Sequence, residues 1–210
     1  MGILDELTSA TGDKNSNKEL VKACLKTPAL LHSVAEGLRT GSPKARVDCA
    51  LILNDVAKRR SELLSYFVAD FLDASKSKSK RIAKLGFIGL ADVVRANAAE
   101  VYAERDYLLE AAKGGTSDAL LAAAVIAALC GDNANYRGKL LGSLIRLLHG
   151  VSDEDLPKWV EGISPAVMGS VDCYKKLTLA LKSRLEGLPE AARKKLDKTL
   201  LKIEKSTYKK

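Results

Sequence analysis

Hydrophobic residues recur at helical spacing along almost the whole chain, from about residue 18 to residue 204. Alternating runs of apolar and polar residues, which are typical of half-buried strands, are absent at any useful length. Ala, Leu, Lys and Glu dominate the composition, and Pro occurs only five times. Because these abundant residues favour helix nearly everywhere, the pattern predicts an all-α fold.

An internal repeat appears in this pattern, because a double leucine recurs at the predicted start of one helix. The four copies begin at Leu30, Leu63, Leu108 and Leu140, at separations of 33, 45 and 32 residues. A polar break follows each copy and offers a hydroxyl as a helix N-cap. The candidate caps are Ser42, Ser77 or Ser79, Thr116 or Ser117, and Ser152. Each repeat is therefore predicted to be a pair of helices.

The helices that follow the first two breaks also align with each other. Residues 51–64 match residues 87–101 at an offset of 37, which places Leu53 over Leu90 and Asp55 over Asp92. Helical hairpins that repeat at this spacing cannot bury their own apolar faces, and they stack into an α-solenoid.

On its LLxxVxxxL and LxxLADVV patterns, the chain resembles the HEAT and armadillo-like repeat proteins over about residues 18–185. The resemblance implies a right-handed α-α superhelix of stacked antiparallel helix pairs. It also implies a binding surface on the concave side, formed by one helix from each pair. The Trp, Gly, Tyr and Pro landmarks of tetratricopeptide repeats are missing.

The predicted organisation is a single repeat domain with two distinct ends. Residues 1–17 form a short helix or a partly flexible segment, and residues 18–187 form the repeats, with an irregular unit around residues 149–170, where Gly and Pro interrupt the helices. Residues 188–210 form a capping helix and a basic tail. The apolar stripe of that helix consists of Ala192, Leu196, Leu200 and Ile203.

Long apolar segments are predicted to be core rather than membrane. Residues 116–131 are apolar all round, as expected of a helix at the centre of a stack, and they are shorter than the roughly 18 to 20 residues of a membrane span. The N-terminus lacks the features of a secretory signal, so a cytoplasmic location is expected. The four scattered cysteines are expected to be buried thiols in a reducing compartment, and the absence of Gln suggests a thermophilic source.

Signatures of catalysis are missing from the sequence. Gly114 and Gly115 fit a helix C-cap better than a phosphate loop, and the two histidines, His32 and His149, have no nucleophile or metal-ligand partners at a recognised spacing. The acidic residues 153–155 fit the first turn of a helix. We therefore predict no enzyme activity, no catalytic residue, no cofactor and no metal. Small HEAT-like DNA-alkylation-repair glycosylases remain an alternative, although the chain lacks their aromatic residues on a basic cleft.

Charge is distributed unevenly along the chain. Residues 42–84 contain ten basic and five acidic side chains, residues 85–174 contain seven and twelve, and residues 175–210 contain twelve and four. Stacking of the repeats would place basic loops side by side on two opposite edges, and such edges could bind a polyanion. The candidates on one edge are Lys44, Arg46, Lys76, Lys78, Lys80, Arg81 and Lys84. Those on the opposite edge are Lys58, Arg59, Arg60 and Arg95.

Together these features predict a non-catalytic scaffold or adaptor that binds another macromolecule, first of all a protein. A nucleic-acid-binding solenoid that uses the basic edges is the alternative. Trp159, the only tryptophan, is either an anchor within the irregular segment or an interface anchor for a partner. No membrane association is predicted, and the sequence does not define the oligomeric state.

Overall fold

The computed structural model of the protein describes residues 2–208, and these residues form helices and connecting turns without a strand. The α-helices are α1 Thr8–Thr11, α2 Ser16–Lys26, α3 Leu30–Thr40, α4 Pro43–Arg60, α5 Val68–Ser75, α6 Lys80–Val93, α7 Ala98–Ala103, α8 Arg105–Ala111, α9 Ser117–Asp132, α10 Ala134–Leu147, α11 Leu156–Ile163, α12 Val171–Leu185 and α13 Glu190–Tyr208. Short 3-10 helices cover Ile3–Glu6, Ser61–Phe67, Leu148–Gly150 and Ser164–Ala166.

Two compact units divide the chain, the first ending at Val101 and the second beginning at Tyr102. The organisation expected from the sequence, with boundaries at residues 17 and 187, stays a prediction.

The first unit is built around α4, which packs against α2, α3 and α6, while α5 packs against α6. The sequence alignment predicted equivalent positions in α4 and α6. Leu53 and Leu90 are both 0% exposed, and so are Val56 and Val93. The two helices therefore bury the same side of the repeated pattern.

Close approach of α5 and α6 depends on Gly86. A Cβ atom at this position would lie 2.4 Å from the backbone nitrogen of Ser75 and 2.8 Å from the carbonyl carbon of Ala74. Both distances are too short for non-bonded atoms, so only a residue without a side chain fits here.

The N-terminal segment is attached to α4 through Asp48, a carboxylate that is almost fully buried. Its two oxygens accept hydrogen bonds from the backbone N–H of Ser9 at 2.7 Å and from the side-chain amide of Asn17 at 2.9 Å. Leu7 is fully buried beside this contact region. This segment contains the 3-10 helix Ile3–Glu6 and α1.

The second unit is built around α9, which packs against α8, α10 and α11 and is buried on most sides. This agrees with the central place predicted for residues 116–131. The stripe predicted on the last helix is also buried, since Leu196 and Ile203 of α13 are both 0% exposed. Between α10 and α12, α11 lies between the 3-10 helices Leu148–Gly150 and Ser164–Ala166.

Several predicted caps and turns are present. Ser42 accepts a hydrogen bond from the backbone N–H of Ala45 at the start of α4, and Thr116 does the same for Ala119 at the start of α9. Ser79 precedes α6 without a side-chain cap, whereas Ser152 accepts from the backbone N–H of Asp155 ahead of α11. Gly114 and Gly115 both have positive φ, in agreement with the predicted turn.

Candidate binding surfaces

The predicted basic edges lie at the two ends of α4 and α6, which run side by side in the same direction. The side-chain amide of Asn54 donates to the carbonyl oxygen of Leu85 at 3.1 Å. Lys58, one turn after Asn54, lies near Asp92, which is two turns after Leu85. The N-terminal ends of the two helices therefore lie on one side of the first unit, and their C-terminal ends lie on the other. Polyanion binding at these edges stays a prediction.

Some of the predicted cations have partners within the unit. The Nε of Arg46 donates to the carbonyl oxygen of Leu38 at 2.8 Å, so Arg46 satisfies the C-terminal end of α3. Lys58 lies 3.8 Å from the carboxylate of Asp55, and Arg60 pairs with Glu62. The two carboxylates reduce the positive charge on the edge of Lys58 and Arg60, whereas the hydrogen bond to Leu38 holds Arg46 in place and leaves its charge unchanged.

The remaining predicted cations are exposed. Lys44, Arg59, Lys76 and Arg95 belong to this group, and Lys76 contacts other groups of the protein. Four further cations are exposed and form no ion pair with any residue between 2 and 208. They are Lys78, Lys80, Arg81 and Lys84, at and just before the start of α6. These four residues lie close together in the chain and form the densest part of the predicted polyanion surface.

A small pocket of about 240 Å³ lies beside Arg46, between the ends of α3 and α5. Its polar wall is an ion pair between Arg39 and Asp70, with 2.8 Å between nitrogen and oxygen. Burial raises the pKa of Asp70 despite the neighbouring guanidinium, since its side chain is only 6% exposed. The acidic Asp73 also lines the pocket, which therefore interrupts the basic edge.

Trp159 belongs to the core of the second unit, where it is 1% exposed. Its position on α11 supports the interpretation of an internal anchor. A partner on the surface would not reach this indole, because it is almost completely covered. The structure therefore argues against Trp159 as an interface anchor.

A larger groove lies in the second unit between α11 and α13, with a volume of about 850 Å³. Lysines line it together with an exposed leucine, Leu201, which is 49% exposed. The lining lysines are Lys158, Lys195, Lys198, Lys202 and Lys205. One carboxylate, Glu161, faces the same groove. The groove thus combines a net positive charge with an apolar surface, and no aromatic residue lines it.

The excess of basic residues at the C-terminal end is visible in the sequence, but this groove is not. Lys195, Lys198, Lys202 and Lys205 repeat at intervals of three and four residues, a spacing that places them along one side of a helix. That signal is visible in the sequence. The opposite wall could not be inferred, because it is formed by α11, about 40 residues earlier in the chain.

Several titratable side chains are buried in the part of the chain that the structure describes. All four cysteines are free and buried, and burial raises the pKa of Cys24 to about 11 and those of Cys49 and Cys130 to about 12. The Oδ2 of Asp92 is buried without a hydrogen-bond partner, and burial raises the pKa of this carboxyl. Within residues 2–208, no three His, Cys, Asp or Glu side chains come together to hold a metal ion.

None of the helices between residues 2 and 208 is both long and apolar enough to cross a bilayer.

Comparison with solved structures identifies the class of fold. The chain is similar to a designed armadillo repeat protein in complex with the peptide (KR)4, with a TM-score of 0.68 and 15% sequence identity over 98% of each chain. No family model and no curated protein matches the sequence. The predicted all-α, armadillo/HEAT-like superhelical fold is therefore confirmed.

Proposed function

We propose that the protein is a non-catalytic helical-repeat scaffold that binds a protein partner. The observation that carries this proposal is the armadillo-like fold, which extends over almost the whole chain and is shared with a repeat protein in complex with a peptide. Stacked helical repeats provide long continuous surfaces, and such surfaces suit the binding of other chains better than the enclosure of a small substrate.

Affinity capture from the native lysate tests this proposal. The tagged chain is incubated with lysate that has or has not been treated with nuclease, and the retained proteins are identified. We expect a partner that is retained after nuclease treatment and that forms a complex with the chain when both are purified. Capture that depends entirely on nucleic acid would contradict the proposal, and so would turnover of a substrate by the purified chain.

Nucleic-acid binding is the second candidate, and the four exposed cations Lys78, Lys80, Arg81 and Lys84 favour it. If each cation neutralises one phosphate of duplex DNA, the four contacts together should lower the binding constant about 100-fold when the salt concentration rises from 50 to 200 mM. Labelled DNA and RNA are titrated at both concentrations against the wild type and a variant in which all four are alanine.

The matched control replaces four exposed lysines of the same unit by alanine, namely Lys14, Lys18, Lys22 and Lys26. The control removes the same total charge from a different place. Equal loss of binding in both variants would show that net charge alone attracts the nucleic acid. Absence of binding at 50 mM salt would remove this candidate.

A further inference from the structure

The groove between α11 and α13 has a basic wall on α13 that also carries an exposed apolar side chain. Four lysines follow one side of α13, and Leu201 lies beside them, one turn from both Lys198 and Lys205. On the opposite wall, Lys158 is already paired with Asp155 at 3.0 Å, and Glu161 adds a negative charge. The unpaired positive charge is therefore concentrated on α13.

We propose that this groove binds an acidic amphipathic helix of a protein partner. The inference rests on the proposed scaffold function and adds the chemistry of the bound segment. Carboxylates on the segment face the lysines of α13, and an apolar side chain next to them covers Leu201. This is the helix-in-groove mode of peptide recognition, with charge complementarity that fixes the register.

The spacing of the lysines favours a helical segment over an extended one. From Lys195 to Lys205 the rise along α13 is about 15 Å, at 1.5 Å per residue. A helix beside α13 repeats that spacing when its carboxylates occupy positions i, i+3, i+7 and i+10. In an extended strand, four residues on the same face would span about 20 Å, so their carboxylates would lose register with the lysines.

The lining of the groove also favours a peptide over a nucleic acid. Nucleic-acid grooves without sequence preference use aromatic side chains to stack bases, and none of the residues that line this groove is aromatic. Glu161 would repel a phosphate backbone that follows the groove. Leu201, which is half exposed, would gain nothing from phosphates but is covered by an apolar side chain of a peptide.

The test uses the full chain and a labelled synthetic peptide of about 18 residues, long enough to form a helix. The peptide has Glu at positions i, i+3, i+7 and i+10 and leucines on the adjoining stripe. A scrambled peptide of the same composition is the first control. Fluorescence anisotropy measures both affinities at 50 and 200 mM salt, and we expect tighter binding of the patterned peptide, weakened by salt.

Variants of α13 locate the site. Lys198→Glu with Lys202→Glu reverses two groove charges and should weaken binding about tenfold or more. Arg193→Glu with Lys194→Glu makes the same charge change on exposed residues of α13 outside the groove, and it should leave the affinity unchanged. Leu201→Ala should weaken binding about fivefold through loss of apolar contact. Circular dichroism checks that every variant remains helical.

Four results would overturn the inference. They are absence of peptide binding at 50 mM salt, equal binding of the scrambled peptide, equal weakening by the two charge-reversal variants, and no effect of Leu201→Ala. A further contradiction would be labelled DNA that binds more tightly than the peptide and loses affinity in the groove variant but not in the control variant. That result would make the groove a nucleic-acid site. If the peptide fails to bind while a protein partner is still captured, the groove inference fails and the scaffold proposal stands.

Discussion

Substitution of Gly86 by alanine should destabilise the first unit, although alanine is the better helix former. Gly86 lies inside α6 and faces the end of α5. The added Cβ would lie 2.4 Å from the backbone nitrogen of Ser75, and a main-chain atom cannot rotate away as the end of a side chain can. The two helices would have to move apart.

The expected magnitude is the difference between two opposing effects. Replacement of a helical glycine by alanine stabilises by about 1 kcal/mol through helix propensity. Overpacking costs about 1 to 3 kcal/mol, and close contact with three backbone atoms of Ala74 and Ser75 places this position at the upper end. The net result is a loss of about 2 kcal/mol of unfolding free energy. With a urea dependence of about 2 kcal/mol per M, the midpoint falls by about 1 M.

Urea unfolding followed by far-UV circular dichroism measures this change. The matched control is Gly142→Ala in α10, an exposed glycine where a Cβ would meet nothing within 4 Å. The free energy of unfolding of the control variant should rise by about 1 kcal/mol, because only the difference in helix propensity remains. If Gly86→Ala is as stable as the wild type or more stable, α5 and α6 do not pack as closely as described.

Three further predictions concern other buried groups. Arg184→Ala should cost about 2 kcal/mol in urea unfolding, because its guanidinium donates to two backbone carbonyl oxygens at 2.7 and 2.8 Å; unchanged stability would contradict this. The thiols of Cys24, Cys49 and Cys130, with pKa values of about 11 to 12, should react with Ellman's reagent at pH 8 only after denaturation, so rapid reaction of the native protein would refute their burial. Asp92→Asn should stabilise the protein at pH 7. Burial raises the pKa of Asp92 in the folded state above its usual 3.8, so the folded wild type takes up a proton at a higher pH than the unfolded chain does. The wild type therefore gains stability as the pH falls from 7 towards 3.8, and the advantage of the variant should shrink; a constant difference would contradict this.

The buried faces and the N-caps of helices could be predicted from the sequence, because residues close together in the chain determine them. The pairing of Leu53 with Leu90 is an example, because the same 3.6-residue periodicity buries the same face in α4 and α6. The caps at Ser42 and Thr116 also follow from local chemistry. The double leucine was a poorer guide to helix starts, since only the copy at Leu30 opens an α-helix. The copy at Leu63 lies within the 3-10 helix Ser61–Phe67, and those at Leu108 and Leu140 lie inside α8 and α10. Where a helix begins, and whether a segment forms an α-helix or a 3-10 helix, depends on tertiary packing, which cannot be read from a single sequence.

Candidate surfaces were harder to predict, because charge counts do not show which cations are already paired. Arg46 donates to the carbonyl oxygen of Leu38, eight residues earlier, and Arg137 in the second unit donates to the carbonyl oxygen of Cys130 in the same way, at 2.8 Å. Each arginine is the fourth residue of its helix and satisfies the end of the helix before it. Two residues that count as surface charge in the sequence therefore have a structural role.

The position of Trp159 gives the protein a built-in optical probe. Since it is the only tryptophan and is buried in the second unit, its fluorescence reports the unfolding of that unit, whereas far-UV circular dichroism reports the helices of both. Coincident curves from the two signals would indicate a single cooperative transition, and separated curves would give each unit its own stability. The cooperativity of the chain can thus be measured without any label or substitution.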